Sequence, residues 1–258
     1  TFATGGFSTH SASICYFHSA YVEYVCSVFM LICSVNFSLY YYVTIRRPRA
    51  FYGNEELRAF LLIVAAMVVW FVCLFYHAAV GEVGERLPRG FEECFRTALF
   101  HVSSVMTSTG FSAETFDYVA WGSNFWMPTV LIMAIGGFAG STAGGLKVIR
   151  VLMCCKATVN EFIRQMHPRA VLGIRISGQI VPDERVRRTL AFFFIYICLI
   201  VIGMMVHPLL GADVDTAMGT CVSMLSNMGP GTGTVGPAST FSHVPATGKW
   251  MMSAYMLM

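Results

Sequence analysis

Residues 107–112 read T-S-T-G-F-S, and residues 4–8 read T-G-G-F-S. When the glycine that precedes the phenylalanine is aligned in the two segments, the phenylalanine and the following serine also coincide. A third and looser copy, S-N-M-G-P-G, occupies residues 226–231. A motif that recurs along one chain indicates a repeated structural unit. The aligned glycines are Gly6, Gly110 and Gly229.

Two of the copies follow a short semi-apolar segment, at about residues 95–106 and 216–225. Both segments are too short to cross a bilayer, which takes about 20 helical residues. Each copy is followed by a polar stretch and then by an apolar run. The repeated unit is therefore predicted to be a span, a re-entrant pore helix, a glycine-containing loop and a second span.

These glycine loops have the properties of a cation filter. The C-terminal end of a short helix presents partial negative charge, and a ring of backbone carbonyl oxygens can replace the hydration shell of an ion. One loop alone would be an ordinary turn, but three copies in equivalent places favour a filter, and closure of a ring implies a further copy upstream. The candidate ion-binding residues are Ala3, Thr4, Gly5, Gly6, Thr107, Ser108, Thr109, Gly110, Ser226, Asn227, Met228 and Gly229.

The composition of the 258 residues is that of a membrane protein. Hydrophobic residues make up 56% of the chain, charged residues make up 12%, and the mean hydropathy is +0.63. These values exclude a disordered chain, a coiled coil and an ordinary soluble enzyme. Apolar runs at about 20–45, 59–80 and 189–210 are long enough to span a bilayer, so we expect a multi-pass protein.

The basic residues are concentrated in two segments of the chain. Segments 46–58 and 147–188 together hold 13 of the 17 lysines and arginines. By the positive-inside rule, both segments are predicted to be cytoplasmic. The glycine loops then lie towards the opposite side of the membrane.

The sequence has no pattern typical of a catalytic centre. Its nine cysteines include no C-x-x-C pair, and several lie inside apolar runs, so we expect reduced thiols rather than disulfides. Neither a metal-ligand spacing nor a nucleophile motif is present. The chain is therefore predicted not to be an enzyme; a membrane-embedded enzyme or scaffold without ion transport is kept as a remote alternative.

A glycine-rich break interrupts the apolar run that begins at residue 125. Residues 136–145 contain five glycines, and the chain becomes apolar again at Leu146. The segment is not a phosphate-binding P-loop, because Lys147 is followed by Val148 rather than by serine or threonine. A break inside a span is expected where free carbonyl groups face a transport pathway.

The combination of these motifs resembles the Trk/Ktr/HKT superfamily of potassium transporters, and most closely its bacterial TrkH/TrkG-type members. The resemblance extends through the entire chain. It rests on the filter-like copies and on the longer glycine-rich segment G-G-F-A-G-S-T-A-G-G-L-K-V-I-R. The matching stretches are residues 4–10, 107–112, 136–150, 226–231 and 235–237.

The resemblance implies an all-α integral membrane fold in which four such repeats surround one pseudo-fourfold pore. The chain would then be a fragment that lacks the first repeat and most of the last helix. Its implied division is a second-repeat filter loop and span at 1–50, a third repeat at 51–167, a cytoplasmic hairpin linker at 168–188, and a truncated fourth repeat at 189–258.

The function implied by the resemblance is potassium uptake across a bacterial inner membrane, either channel-like or coupled to H⁺ or Na⁺. Potassium would be the transported ion, and no cofactor is implied. A sodium-selective or non-selective channel of the same architecture is the nearer alternative, although glycine at each aligned filter position favours potassium. The glycine-rich break would be a gate beneath the filter, formed by Gly136, Gly137, Gly140, Ser141, Thr142, Gly144, Gly145 and Lys147.

Partners are also implied by the resemblance. They are membrane lipid, a second copy in a homodimer, and a cytoplasmic TrkA-type subunit with nucleotide-binding domains; nucleic acid is not expected. The segment 170–181 alternates apolar residues around Ser177-Gly178, which predicts a short hairpin, and Pro182-Asp183 then begins a helix. This hairpin is the candidate docking site for the cytoplasmic subunit.

A few polar residues within the apolar segments have two possible roles each. Glu23 is either a functional intramembrane acid or the partner of a pore helix. Asn36 is expected to join helices, and His101 to pack and bond locally rather than to bind metal. Lys147 and Arg150 either set the electric field at the cytoplasmic exit or extend to lipid headgroups.

Overall fold

The computed structural model describes residues 3–10, 13–46, 51–80, 90–112, 123–169, 172–237 and 239–258. Within these ranges the chain is mostly helical. The first helices in chain order are α1 (Ala20–Cys33), α2 (Phe37–Thr44), α3 (Glu55–Val80), α4 (Phe91–Met106), α5 (Ser123–Ile135) and α6 (Val148–Met166). A two-stranded hairpin and three further helices follow: β1 (Arg175–Ile176), β2 (Gln179–Ile180), α7 (Asp183–Val206), α8 (Val214–Leu225) and α9 (Ala246–Leu257).

The two longest apolar helices lie at the periphery. Candidate spans cover Glu55–His77 and Asp183–Leu209, but only 28% and 17% of their most hydrophobic windows are buried inside the protein. Large apolar side chains such as Leu62 on α3 and Phe194 on α7 are exposed. Helices this apolar have exposed faces that suit lipid rather than water, so the protein is an integral membrane protein, as the composition predicted.

The short helices α4 and α8 occupy the interior. Helix α4 packs against α1, α3 and α5, while α8 packs against α5, α7 and α9. Residues 100–106, the last seven of α4, are all buried, and so is most of α8. The two segments that are too short to span the bilayer are thus enclosed by the longer helices, which is the arrangement that a re-entrant pore helix requires.

The first apolar run, about 20–45, is not one straight helix. Helices α1 and α2 meet at a bend of 91°. Asn36 begins α2, because its side-chain oxygen accepts a hydrogen bond from the backbone of Ser38. The carbonyl oxygen of Ser34 instead accepts a hydrogen bond from the backbone of Phe138. The predicted span is therefore a bent pair of helices rather than one straight helix, since the backbone groups at the break bind a distant part of the chain.

The glycine-rich break is confirmed as an interruption between two helices. Helix α5 ends at Ile135 and α6 begins at Val148, with an irregular segment between them. Helix α6 does not continue the span in the way the apolar restart at Leu146 suggested. It carries basic residues beside exposed apolar ones such as Phe162, a pattern typical of an amphipathic helix at a membrane surface.

The short hairpin is also present. Strands β1 and β2 are antiparallel, and Arg175 pairs with Ile180. Ser177 and Gly178 both have positive φ angles, as a two-residue type I′ turn requires. Residues 170 and 171 of the predicted hairpin segment lie outside the described residues. Pro182 then precedes the first residue of α7, so the predicted helix start is confirmed.

The polar side chains inside the apolar segments have protein partners. The Glu23 carboxylate on α1 forms a largely buried ion pair with Arg96 on α4, at 2.6 Å. His101 lies 2.9 Å from the Thr129 hydroxyl and makes an edge contact with the ring of Phe71. Both residues therefore hold helix α4 in place against its neighbours.

Candidate ion pathway

The three candidate filter loops share one backbone conformation. In each loop a residue other than glycine has a positive φ angle, and two positions later the aligned glycine also has one. Glycine adopts this conformation at little cost, whereas other residues resist it. The first position is Thr4 (φ 45°), Ser108 (φ 54°) and Asn227 (φ 52°); the second is Gly6 (φ 66°), Gly110 (φ 77°) and Gly229 (φ 101°).

Each of the two described pore helices closes its own loop with a serine. The Ser104 hydroxyl on α4 donates to the carbonyl of Phe111 at 2.5 Å, and its own carbonyl accepts the backbone N–H of Thr109. On α8, the Ser223 hydroxyl donates to the carbonyl of Pro230 at 2.7 Å. Ser223 also accepts the backbone N–H of Met228 through its carbonyl. The same hydrogen bonds thus recur at both sites.

Sequence reasoning missed these two serines. Both lie six positions before the aligned glycine, so extension of the repeat alignment towards the N-terminus would have superimposed Ser104 on Ser223. A further missed residue is Tyr196 on α7, whose hydroxyl lies 3.0 Å from the Ser226 hydroxyl. No repeat signal identifies Tyr196, because its contact depends on how α7 packs against α8.

The three loops pack against one another in chain order. A Cβ atom on Gly6 would lie 2.0 Å from the carbonyl oxygen of Thr109, and one on Gly110 would lie 2.7 Å from that of Met228. Each glycine therefore lets the next loop approach its backbone closely. At Gly229 the corresponding space is open among the described residues.

The glycine-rich break forms a closed loop, which we call the 136–145 loop. Its two ends are joined by backbone hydrogen bonds from Leu146 to Ala134, from Lys147 to Ile135 and from Val148 to Gly137. Gly136 has a φ angle of 70° and lies against the backbone of Gly144 and Gly145. The loop therefore leaves the end of α5 and returns to the same place before α6 begins.

The second half of the 136–145 loop contacts two of the candidate filter loops. The backbone N–H of Gly144 donates to the Ser108 hydroxyl at 3.2 Å. A Cβ atom on Gly144 would lie only 1.8 Å from the carbonyl oxygen of Ser226, so this contact also requires glycine. The structure thus brings the two sequence-predicted groups of residues into direct contact.

Side chains from distant parts of the chain hold the loop. The buried Glu56 carboxylate accepts the backbone N–H of Ala139 at 3.0 Å, and the Asn36 amide donates to the carbonyl of the same residue at 2.8 Å. Lys147 donates from its ammonium group to the Ala143 carbonyl. Glu56 was missed by sequence reasoning, since it reads as an ordinary acidic residue in the first turn of a helix.

The remaining predicted site residues lie in varied environments. Within the 136–145 loop, Gly137 is buried, Gly140 and Thr142 are exposed, and Ser141 binds the Phe138 carbonyl. The guanidinium group of Arg150 stacks over the Phe192 ring at 4.1 Å. In the described part of the chain, no group of three or more histidine, cysteine or acidic side chains could hold a metal ion.

Taken together, these features define the class of the protein. It is an integral membrane protein in which short interior helices end at mutually packed glycine loops, with a second glycine-rich loop seated against them. The profile of the TrkH family, described as a cation transport protein family, matches residues 1–258. The chain belongs to this family, whose members are transporters and not enzymes.

Curated relatives agree over the entire chain. The chain is 34% identical to the Trk system potassium uptake protein TrkH of Halomonas elongata and 32% identical to that of Escherichia coli K12. In both alignments 100% of this chain is covered but only 51% of the relative. The Escherichia coli protein TrkG is 32% identical, again over 51% of its length. The chain therefore spans about half the length of the relatives it matches.

A solved structure supports the same fold. The crystal structure of the potassium transporter TrkH from Vibrio parahaemolyticus superimposes with a TM-score of 0.87 at 31% sequence identity. The match covers 99% of this chain and 53% of that one. The predicted all-α membrane fold and the predicted family are confirmed.

Proposed function

We propose that this chain forms part of the pore of a potassium uptake protein in a bacterial inner membrane. One observation carries the proposal: the backbone conformation at Thr4–Gly6 recurs at Ser108–Gly110 and at Asn227–Gly229. Loops of one conformation that pack side by side can direct their carbonyl groups to a common point. Backbone oxygens arranged in this way can replace the hydration shell of K⁺.

The surroundings of the loops support cation binding. Helices α4 and α8 both end directly before a candidate filter loop, so their partial negative charge lies next to it. The membrane potential favours cation entry by about 2.3 kcal/mol per charge for each 100 mV. The relatives are named potassium uptake proteins, and we extend that activity to this chain as part of its full-length protein.

The division of the chain into repeats at 1–50, 51–167 and 189–258, with a linker at 168–188, belongs to the same proposal. A fourth filter loop would pack beside Gly229, where the space is open among the described residues. The Gly229 site then provides the third contact of a ring whose first two contacts involve Gly6 and Gly110.

The 136–145 loop is proposed as the gate of this pathway. Its Gly144 contacts Ser108 and Ser226, which belong to two different candidate filter segments. A segment in this position blocks the path when seated and clears it when displaced. Gating requires that the two arrangements differ by only a few kcal/mol.

The proposed assembly is a homodimer with a cytoplasmic nucleotide-binding regulatory subunit of the TrkA type. The name "Trk system" given to the relatives supports a multicomponent system. The hairpin β1–β2, with basic residues on both sides, is the proposed docking site for the regulatory subunit.

The experiment that tests potassium transport uses the purified full-length protein in liposomes. Uptake of potassium is measured under an inward K⁺ gradient, with sodium and rubidium as competing ions. We expect potassium to enter and sodium to compete poorly. Equal uptake of sodium would favour the alternative of a sodium-selective or non-selective channel, and absence of any ion uptake would refute the proposal.

A further inference from the structure

Two consecutive acidic residues at the start of α3 have different partners. Glu56 is 6% exposed and faces the 136–145 loop, while Glu55 faces the hairpin β1–β2. Neither residue belongs to the candidate filter or to the 136–145 loop. Together they lie between the proposed gate and the cytoplasmic hairpin.

The Glu56 carboxylate holds both sides of the loop. It accepts a hydrogen bond from the backbone N–H of Ala139, in the first half of the 136–145 loop, at 3.0 Å. The backbone of Ile149, in the first turn of the helix that follows the loop, also interacts electrostatically with this carboxylate. Hydrogen bonds to a buried charged group are stronger than neutral ones, so this carboxylate is a firm anchor.

Both backbone polar groups of Ala139 form hydrogen bonds with side chains. Its N–H binds Glu56 on α3, and its carbonyl accepts a hydrogen bond from Asn36 at the bend between α1 and α2. The first half of the 136–145 loop cannot leave its position without loss of these two hydrogen bonds. The anchor therefore stabilises the arrangement in which Gly144 lies against the candidate filter loops.

Glu55 makes an equivalent set of contacts with the hairpin. Its backbone N–H donates to the Ser177 hydroxyl at 3.1 Å, in the turn between β1 and β2. Its carboxylate pairs with Lys156 on α6 at 2.5 Å. The Lys156 ammonium group also donates to the carbonyl of Arg175 at 2.7 Å, so one lysine joins the hairpin to Glu55.

We propose that the Glu55–Glu56 pair couples the position of the cytoplasmic hairpin to the seating of the 136–145 loop. Glu56 is a positioning residue for the loop, and Glu55 is the contact through which the hairpin acts on it. The pair rests on one turn of one helix, so a shift of the hairpin that moves this turn also moves the anchor of the loop. The coupling concerns regulation and rests on the proposed gating function.

The test measures backbone hydrogen exchange of peptides covering residues 136–146 in the full-length protein in nanodiscs. Variants are Glu56→Gln and the matched control Glu184→Gln, which removes an acid from the first turn of α7. Glu184 pairs only with Arg188 on its own helix among the described residues, and both side chains are exposed. Exchange of a hydrogen-bonded N–H reports how often it opens.

Glu56→Gln is expected to accelerate exchange in the loop by about tenfold or more, because the charged acceptor of the Ala139 N–H is lost. Glu184→Gln is expected to leave loop exchange as in the unmodified protein. In liposomes, Glu56→Gln is expected to raise basal potassium flux, since the seated arrangement is less stable.

The coupling itself is tested by a double-mutant cycle. Lys156→Met alone is expected to accelerate loop exchange about threefold, since contacts of this kind couple neighbouring residues. In the Glu56→Gln background the same substitution is expected to have no further effect, because the hairpin no longer reaches the loop through a charged anchor. Ser177→Ala, a surface change in the turn, provides a second route to the same measurement.

Four results separate this inference from the proposed function. Loop exchange in Glu56→Gln that equals that in Glu184→Gln overturns the inference. Equal effects of Lys156→Met in both backgrounds overturn the coupling. Faster loop exchange without any change of potassium flux upholds Glu56 as the anchor of the loop and refutes the gate. A folded protein that does not transport potassium refutes the proposed function, and in that case the exchange data still decide whether Glu56 anchors the loop.

Discussion

The filter loops and the 136–145 loop are both rich in glycine and both contain left-handed residues, yet they are held in opposite ways. The serines that close the filter loops bind carbonyls seven residues further along the chain. The 136–145 loop is held by Ser108, Glu56 and Asn36, which lie 36, 83 and 103 residues from their partners. The hydroxyl contacts that close the filter loops are thus local, whereas the 136–145 loop also depends on side chains from distant segments.

We expect this difference to separate a permanent structure from a movable one. A filter loop forms together with its pore helix, so its conformation persists when other helices shift. The 136–145 loop depends on contacts from α3, from the α1–α2 bend and from the filter, so displacement of any of these changes its stability. The following predictions test that contrast, in decreasing order of expected effect.

The largest effect is expected from Gly110→Ser. The residue has a φ angle of 77°, and a Cβ atom would lie 2.7 Å from the Met228 carbonyl oxygen. The left-handed conformation alone costs about 1–2 kcal/mol for a residue with a side chain, and the contact displaces the neighbouring loop. Preference for potassium over sodium in flux assays should fall by at least about tenfold.

Gly178→Ser is the matched control for this prediction. Gly178 has a φ angle of 80°, but a Cβ atom there would meet nothing within 4 Å. The control therefore imposes the same backbone strain without the contact. Ion preference that is unchanged in Gly110→Ser, or equally reduced in Gly178→Ser, would contradict the role of the packed glycines.

The second prediction concerns removal of residues 139–143 from the gate. The hydrogen bonds that join Leu146 to Ala134 and Lys147 to Ile135 lie outside the deletion, so the base of the loop should remain closed. The blocking arrangement is lost, while the filter residues stay. Potassium flux should rise severalfold, with ion preference retained and with less dependence on a cytoplasmic partner. Unchanged flux in a folded variant would show that the loop is only a structural break.

The third prediction compares Ser104→Ala with Ser223→Ala. Each change removes the hydroxyl donor of a loop carbonyl, that of buried Phe111 or half-buried Pro230. Loss of such a hydrogen bond costs about 1–2 kcal/mol. The two variants should lose similar stability in thermal unfolding and a similar, modest part of their ion preference. A large difference between them would mean that the two pore loops are not held alike.

The smallest effect is expected from Ser108→Ala, at the contact between the two regions. The change removes the acceptor of the Gly144 N–H but leaves the filter backbone as it is. A loss below about 1 kcal/mol should raise potassium flux about two- to fivefold and leave ion preference unchanged. Ser108→Thr keeps the hydroxyl and introduces the residue present at the equivalent Thr4, so its flux should match the unmodified protein. A lost ion preference in Ser108→Ala would place the hydroxyl in the filter.

Several features could be predicted from the sequence because their causes lie within a few residues. The aligned glycines at 6, 110 and 229 do adopt equivalent conformations, and the short segments before two of them are interior helices. The turn at Ser177-Gly178 and the helix start after Pro182 follow from local backbone preferences. The break at 136–145 follows from its glycine content.

Other features could not be predicted because their causes lie in distant residues. The 20–45 run is apolar enough for one span, but it bends where Ser34 and Asn36 bind the 136–145 loop. The partner of Glu23 could be identified only when the structure placed Arg96 beside it. Glu56 has no distinguishing sequence signal at all.

The sequence by itself determined the membrane class, the repeated loops, the family and the place of the glycine-rich break. Each of these depends on composition or on the conformational freedom of residues adjacent in the chain. Only the tertiary structure decided that Gly144 rests against Ser108 and Ser226, and that Glu56 and Asn36 hold Ala139. The physical reason is that a buried backbone N–H or carbonyl requires a partner, but any suitably placed side chain can supply it, and its identity is set by how the helices pack.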